Sequence, residues 1–291
     1  MIEAPGRMYA KAIAEKDGAM RAIGMIESTP KAADSGSDRT FRTLCVLVHG
    51  FNGEPGELCE LEGRLNEAGV ATRNLLLPGH GTTIREFAAS TWDDWVCAVH
   101  EAVRCGLNDY RQVALVGHSM GAGAALAAAA REPGVAGVAA LCPPLRMRPA
   151  LRLGVAALRR FIRYVPAGVE DVRYRRGARE RYARNVYRWT ALDAAHSLFH
   201  SLIQLRDDLP KVRCPALVIC AWHDHVVSVR DGIETYALLG SQDRRLVVLE
   251  RLFHAVTRDV ERETVFAEVG RFCRSVAPQV DRMADAAGTH G

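Results

Sequence analysis

Short apolar runs alternate with segments of helical period along most of this chain. That alternation constrains the fold more than any other feature. TLCVLV (43–48), VALVG (113–117), VAGVAALCPP (135–144), PALVICAW (215–222) and RRLVVLE (244–250) read as strands, and VATRNLLLPGHG (70–81) as a strand entering a turn. Between them, GELCELEGRLNEAG (56–69) sets Leu58, Leu61 and Leu65 at helical spacing and stops at Gly69. TWDDWVCAVHEAVRCGL (91–107) has the same period, with Thr91 as its N-cap. An alanine-rich helix follows Ser119, RDGIETYALLG (230–240) ends on glycine, and DVERETVFAEVGRFCRSV (259–276) closes the series. Strands that are nearly all apolar and separated by helices predict an α/β fold. Its central sheet is mostly parallel, with helices on both faces.

Two stretches break the rhythm. Residues 1–30 read as a weakly amphipathic helix with Met8, Ile13, Met20, Ile23 and Ile26 on one loose face, and KAADSGSDRT (31–40) as a polar linker. Residues 145–188 hold thirteen arginines against three acidic residues, Glu170, Asp171 and Glu180, with Leu151, Leu153, Leu158, Phe161 and Ile162 interleaved. This segment is expected to form a helical cap inserted into the core. The domain plan is then an N-terminal extension and linker (1–40), a core in two pieces (41–144 and 189–277), the cap (145–188), and a disordered tail (278–291).

The 48% apolar and 25% charged residues are ordinary for a soluble globular chain. A net charge of +4 is too small to point to nucleic acid, and none is expected as a partner. No run approaches the ~18 apolar residues of a membrane span, and the charged N-terminus lacks the apolar core of a secretory signal. The eight cysteines are scattered, with no C-x-x-C pair. That fits a reducing compartment, so the expected location is cytoplasmic.

The chemistry starts at Gly117-His118-Ser119-Met120-Gly121, a G-x-S-x-G pattern between a strand and a helix. A serine on so sharp a turn needs small neighbours two before and two after, and its Oγ sits near a helix N-terminus. It also needs a base, and the base needs an orienting acid. His254 follows the last strand and Asp224 follows the strand before it, so the order is Ser119, Asp224, His254. Acyl transfer further requires donors for an oxyanion. Met120 supplies one backbone N–H, and Phe51, in the loop HGFNG (49–53), is the expected second donor.

Competing residues read as structural. His223 and His225 flank Asp224, but an extended segment points them apart and no third ligand lies near in sequence, so no metal is expected. His118 reads as a packing residue, and His49 and His80 as hydrogen-bonders in tight turns. His100, His196 and His200 lie on helical patterns. Asp207 and Asp208 read as an exposed helix end.

Taken together, H-G-F, P-G-H-G, G-H-S-x-G, W-H-D and the final histidine resemble the bacterial carboxylesterase and monoacylglycerol lipase branch of the α/β-hydrolases, over residues 41–276. The resemblance implies a Ser119–His254–Asp224 triad, an oxyanion hole from Phe51 and Met120, and a cap inserted after the sixth strand. It implies hydrolysis of small-molecule or lipid esters, short- or medium-chain or monoacylglycerol-like, through an acyl-enzyme and without cofactor. A thioesterase, amidase or acyltransferase would use the same residues, and a hydrolase-fold receptor is the remaining alternative. The cap arginines read either as a solvated cationic face or as a peripheral contact with anionic membrane. The oligomeric state is left open.

Overall fold

The computed structural model describes residues 25–28, 43–167 and 187–277, the first of these as backbone only. A seven-stranded sheet forms the centre, in the order β1-β3-β2-β4-β5-β8-β9. The strands are β1 (Met25–Ser28), β2 (Thr43–Val48), β3 (Ala71–Leu75), β4 (Gln112–His118), β5 (Val135–Leu141), β8 (Ala216–Ala221) and β9 (Arg244–Leu249). All but β1 run parallel; β1 pairs antiparallel to β3, with Met25 opposite Leu75. Ile26 therefore lies in an edge strand and not in the helix expected over 1–30. Its backbone pairs with the open edge of β3, which otherwise presents unpaired donors and acceptors. The rest of the expected helix and linker, and the tail from 278, lie outside the described residues.

β2 shows why these strands are nearly all apolar. Leu44, Val46 and Val48 enter one buried cluster, whereas Cys45 and Leu47 enter another on the opposite face. Side chains alternate across a sheet, so a strand covered on both sides has no polar face. The first face carries α3 (Trp92–Asp109), α4 (Met120–Ala129) and α6 (Leu192–Asp208), packed through Trp95, Val99, Leu126 and Leu205. The other carries α1 (Cys59–Glu67) and α8 (Arg262–Ser275), packed through Leu61, Leu65, Val265, Phe266 and Val269. α4 is buried along its whole length. Its alanines and glycines keep it thin enough to lie between the sheet and its neighbouring helices.

Thr91 caps α3 as expected. Its side chain accepts from the Asp94 N–H (3.3 Å), and the Asp94 carboxylate accepts from the Thr91 N–H (3.0 Å). A second capping box, Thr83 with Glu86, starts the short α2 (Ile84–Ala89).

The segment after β5 contains more than the expected helix, and its residues 168–186 lie outside the described residues. After α5 (Pro149–Leu158), β6 (Tyr164–Pro166) pairs antiparallel with β7 (Trp189–Ala191). Pro166, the last residue of β6, and the β-branched Val165 and Thr190 suit a short extended pair better than a helix. Two of its arginines are not part of a free cationic face. Arg146 pairs with Asp231 and Glu234 of α7 (Val229–Leu238), and Arg159 pairs with Asp193 of α6.

Candidate active site

Ser119 sits at the switch from β4 to α4 with φ 54° and ψ −122°, a strained conformation for a residue with a side chain. Its N–H is held by the Leu141 carbonyl at 2.8 Å. The two flanking glycines are sterically required. A Cβ on Gly117 would come within 2.2 Å of the Gly121 carbonyl oxygen. A Cβ on Gly121 would come within 2.3 Å of the Val48 carbonyl oxygen and 2.4 Å of that of His49. The elbow closes only because both positions lack side chains.

The structure brings His254 and Asp224 to this serine. The Ser119 Oγ–H donates to His254 Nε2 at 2.9 Å, and His254 Nδ1–H donates to Asp224 Oδ2 at 2.7 Å. An ionised carboxylate only accepts, so it fixes the proton on Nδ1 and leaves Nε2 free to take one. Asp224 also accepts from the Val226 and Val227 amides, each at 2.8 Å. Burial alone would push its carboxyl up. The His254 ring and the two amides outweigh that, and the net shift is below the usual carboxylate range. His254 is carried on a loop that Asp259, fully buried, closes by accepting from the Phe253 N–H at 2.9 Å. Nothing in the sequence pattern singled out Asp259, because a loop carboxylate bonded to nearby amides leaves no periodic trace.

The HGFNG loop lies against the elbow, with a Cβ built on Gly50 only 3.3 Å from the Ser119 Cβ. Phe51 packs on Phe87, ring centroids 5.1 Å apart, and on Trp95 at 6.0 Å. This anchors the loop through its side chain and leaves its backbone beside the serine. Above it, Val155 of α5 and Leu192 and Ala195 of α6 form an apolar cluster that includes Phe51, Val165 and Phe199.

His49 and His80 are structural hydrogen-bonders. His49 Nε2 accepts from the Leu77 N–H at 3.2 Å, so its Nδ1–H donates to the Gly50 carbonyl at 3.0 Å. His80 Nδ1–H donates to the Pro78 carbonyl at 3.2 Å, with Phe87 and Trp95 against its ring. Burial pushes both rings down, His80 to about 3, so both are neutral at pH 7.

His118 does more than pack. Its Nδ1 meets the Glu57 carboxylate and its Nε2–H donates to the His254 carbonyl at 2.9 Å. Burial would lower its pKa, but Glu57, by charge and by hydrogen bond, outweighs this and the net shift is upward. Asp208 also departs from expectation. It is only 3% exposed and is held by Lys211 (2.6 Å), Arg131 and Gln204 at the end of α6, outside the site. Asp207 is exposed as expected.

Among the described residues, His118, Cys142 and His254 bring potential metal-ligating atoms within 4.8 Å of one another. The ring nitrogens of both histidines are committed, to Glu57 and the His254 carbonyl in one case and to Asp224 and Ser119 in the other. His223 and His225 are exposed. No helix among the described residues is long and apolar enough to cross a membrane.

A doubly wound, mostly parallel sheet with serine, acid and histidine beyond the carboxyl ends of β4, β8 and β9 defines the α/β-hydrolase class. Within it, the chain belongs to the family described as serine aminopeptidase, S33, whose model matches residues 39–261. It is similar to a thermostable monoacylglycerol lipase of Bacillus sp. (strain H-257), with 24% identity over 76% of this chain and 86% of that protein. It is 23% identical to a carboxylesterase of Bacillus subtilis (strain 168), over 78% of this chain and 90% of that one. Among solved structures, one from the study of LipS and LipT, two metagenome-derived lipolytic enzymes, superposes with a TM-score of 0.76. Its identity is 28%, over 86% of this chain and 97% of that chain.

Proposed function

We propose that this protein is a carboxylic ester hydrolase in which Ser119 is the nucleophile, His254 the general base and Asp224 the residue that orients it. The observation that carries this reading is the unbroken line of hydrogen bonds, 2.9 Å from Ser119 to His254 and 2.7 Å from His254 to Asp224, behind a strained elbow.

In the first half-reaction, the Ser119 proton passes to His254 Nε2 as Oγ bonds to the ester carbonyl carbon. The carbonyl becomes an oxyanion, which the amides of Phe51 and Met120 receive. When the tetrahedral intermediate collapses, the C–O bond to the alcohol breaks and His254 returns the proton to that oxygen. In the second half, His254 takes a proton from water, hydroxide attacks the acyl carbon, and Ser119 leaves reprotonated. Asp224 stays ionised throughout and stabilises the imidazolium.

Short- or medium-chain acyl esters and monoacylglycerol-like lipids are the substrate class. The apolar cluster of Phe51, Val155, Leu192 and Phe199, joined through Phe51 to the loop that lies against Ser119, supports an acyl chain there. The relatives named for monoacylglycerol lipase and carboxylesterase activity support the same class. Exposed Leu153 and Phe161 on the cap, among Arg152, Arg160 and Arg163, support contact with an anionic lipid surface. Eight free thiols support a cytoplasmic setting.

The test is a p-nitrophenyl ester series from acetate to palmitate on the wild type and on Ser119→Ala. Turnover that vanishes with Ser119 and peaks at one chain length is expected. A folded wild type that reacts with a fluorophosphonate probe but turns over no ester would transfer the proposal to thioesters or amides. Absence of labelling as well would leave a ligand receptor.

A further inference from the structure

Glu57 and His118 are both buried, at 8% and 2% exposure, and no step of the proposed reaction uses either. A carboxylate and an imidazole enclosed in a core are costly unless they satisfy one another and their neighbours. Their partners show what they join. Glu57 Oε2 accepts from the Gly50 N–H at 3.1 Å, and Glu57 Oε1 meets His118 Nδ1. His118 Nε2–H then donates to the backbone carbonyl of His254 at 2.9 Å, and the Thr257 hydroxyl donates to the Glu57 carbonyl at 3.1 Å.

The proton inventory is constrained. The His254 carbonyl can only accept, so Nε2 of His118 carries a hydrogen. A single further proton then lies between His118 Nδ1 and the Glu57 carboxylate, and the pair is neutral overall. The neighbouring turn is shaped around the carboxylate, because a Cβ on Gly53 would come within 2.3 Å of Glu57 Oε2.

We infer that Glu57 and His118 are positioning residues that lock three segments together: the loop bearing the Phe51 amide, the elbow bearing Ser119, and the loop bearing His254. Gly50 is the residue directly before the Phe51 donor, and His118 directly precedes the nucleophile. The His254 backbone is held by the same ring whose other nitrogen meets Glu57. A displacement at Glu57 therefore moves donor and base relative to the serine. The inference rests on the proposed roles of Ser119, His254 and Asp224.

The test compares Glu57→Ala, Glu57→Asp and Glu57→Gln, with kcat expressed per site titrated by a fluorophosphonate probe on p-nitrophenyl butyrate. Gln keeps the reach without the charge. Its oxygen still accepts from Gly50, and its N–H donates to a neutral His118. Asp keeps the charge but draws it back by one carbon, so it cannot span both partners. Misplacement of catalytic groups by about 1 Å is worth about 10²-fold in rate, so kcat is expected to fall by about that factor in the Ala variant and by about tenfold in Asp. Gln stays within about threefold of wild type, and KM changes little in all three. Wild-type kcat per titrated site in both Asp and Ala would reduce the pair to a structural staple and overturn the inference. So would a Gln variant slower than Asp, because charge and not reach would then be what matters. If the Ala variant does not fold, the order of Asp and Gln decides alone. A wild type with no Ser119-dependent turnover would instead sink the proposed function.

Discussion

Asp224 is the residue whose role can be separated most sharply from its packing. Asparagine has its size and can still accept from Val226 and Val227, but its amide N–H₂ can turn toward His254 and hold the ring in the wrong tautomer. Asp224→Asn is therefore expected to lower kcat by roughly 10⁴-fold with a folded protein and a small change in KM. Activity within tenfold of wild type would remove Asp224 from the triad. Acid stability is also decided residue by residue. His80 is pushed down to about 3 and His49 is pushed down as well, so below the ordinary histidine value of about 6.5 the unfolded chain binds protons that the folded one refuses. Stability is lost as pH falls through that window. Asp224 acts in the same direction, its contribution being lost as pH drops through its lowered folded value. His118 acts oppositely, because its raised value contributes stability that is lost as pH rises through it. The urea midpoint should fall from pH 7 to pH 4, and His80→Asn, which retains a donor for the Pro78 carbonyl, should flatten that slope. An unchanged slope in the variant would place the acid sensitivity elsewhere. Ser119, His254 and Asp224 were legible in the sequence because each follows a strand end that its apolar run announces. Glu57 was not, since a buried carboxylate inside a turn looks like any surface glutamate until its partners are known.

At the scale of elements, the elbow is a join with no room for a side chain at either glycine. Gly121→Ala would drive a methyl group into two backbone carbonyls of the strand end that carries the HGFNG loop, and backbone cannot rotate away. The helix must move instead, and Ser119 with it. A fall of about 10²-fold in kcat is expected, together with a lower melting temperature, and a crystal structure of the variant should show α4 displaced from Val48. Wild-type turnover would mean the elbow yields without cost. By contrast, Thr91→Ala removes the cap of α3, where the Thr91 hydroxyl is bonded to Asp94. It is expected to cost about 1 kcal/mol in urea denaturation while kcat stays unchanged. The two glycines and the cap were visible as sequence, because steric and capping rules act over four or five residues. The edge strand Met25–Ser28 was not. Its pairing with β3 is a contact across more than forty positions, and a short run with Met and Ile fits a helical face equally well.

For the whole molecule, the question is how a buried serine meets a water-insoluble ester. The acyl-side cluster around Phe51 includes Val155 of α5, and that helix and the turn after it also carry an exposed apolar set. Leu151, Leu153, Leu158, Phe161 and Ile162 are exposed there, Phe161 at 87%, beside Arg148, Arg152, Arg160 and Arg163. Arg146 and Arg159 are spent on ion pairs that fasten this segment to α7 and α6, so the arginine count overstates the free charge. What is left combines apolar side chains, which insert into an interface, with cations, each worth about 1 kcal/mol near an anionic surface. Binding should therefore be stronger to vesicles containing phosphatidylglycerol than to phosphatidylcholine alone, and should weaken with salt. Leu153→Ser with Phe161→Ser should reduce it by at least about tenfold, since full burial of each side chain is worth roughly 1.5–3 kcal/mol. Turnover of a soluble acetate ester should be untouched, because neither side chain belongs to the cluster beside Ser119, whereas turnover of monoacylglycerol in vesicles should fall with binding. Vesicle association that ignores lipid charge, salt and both substitutions would return these arginines to an ordinary solvated face. The enzyme would then be left to take its esters from solution.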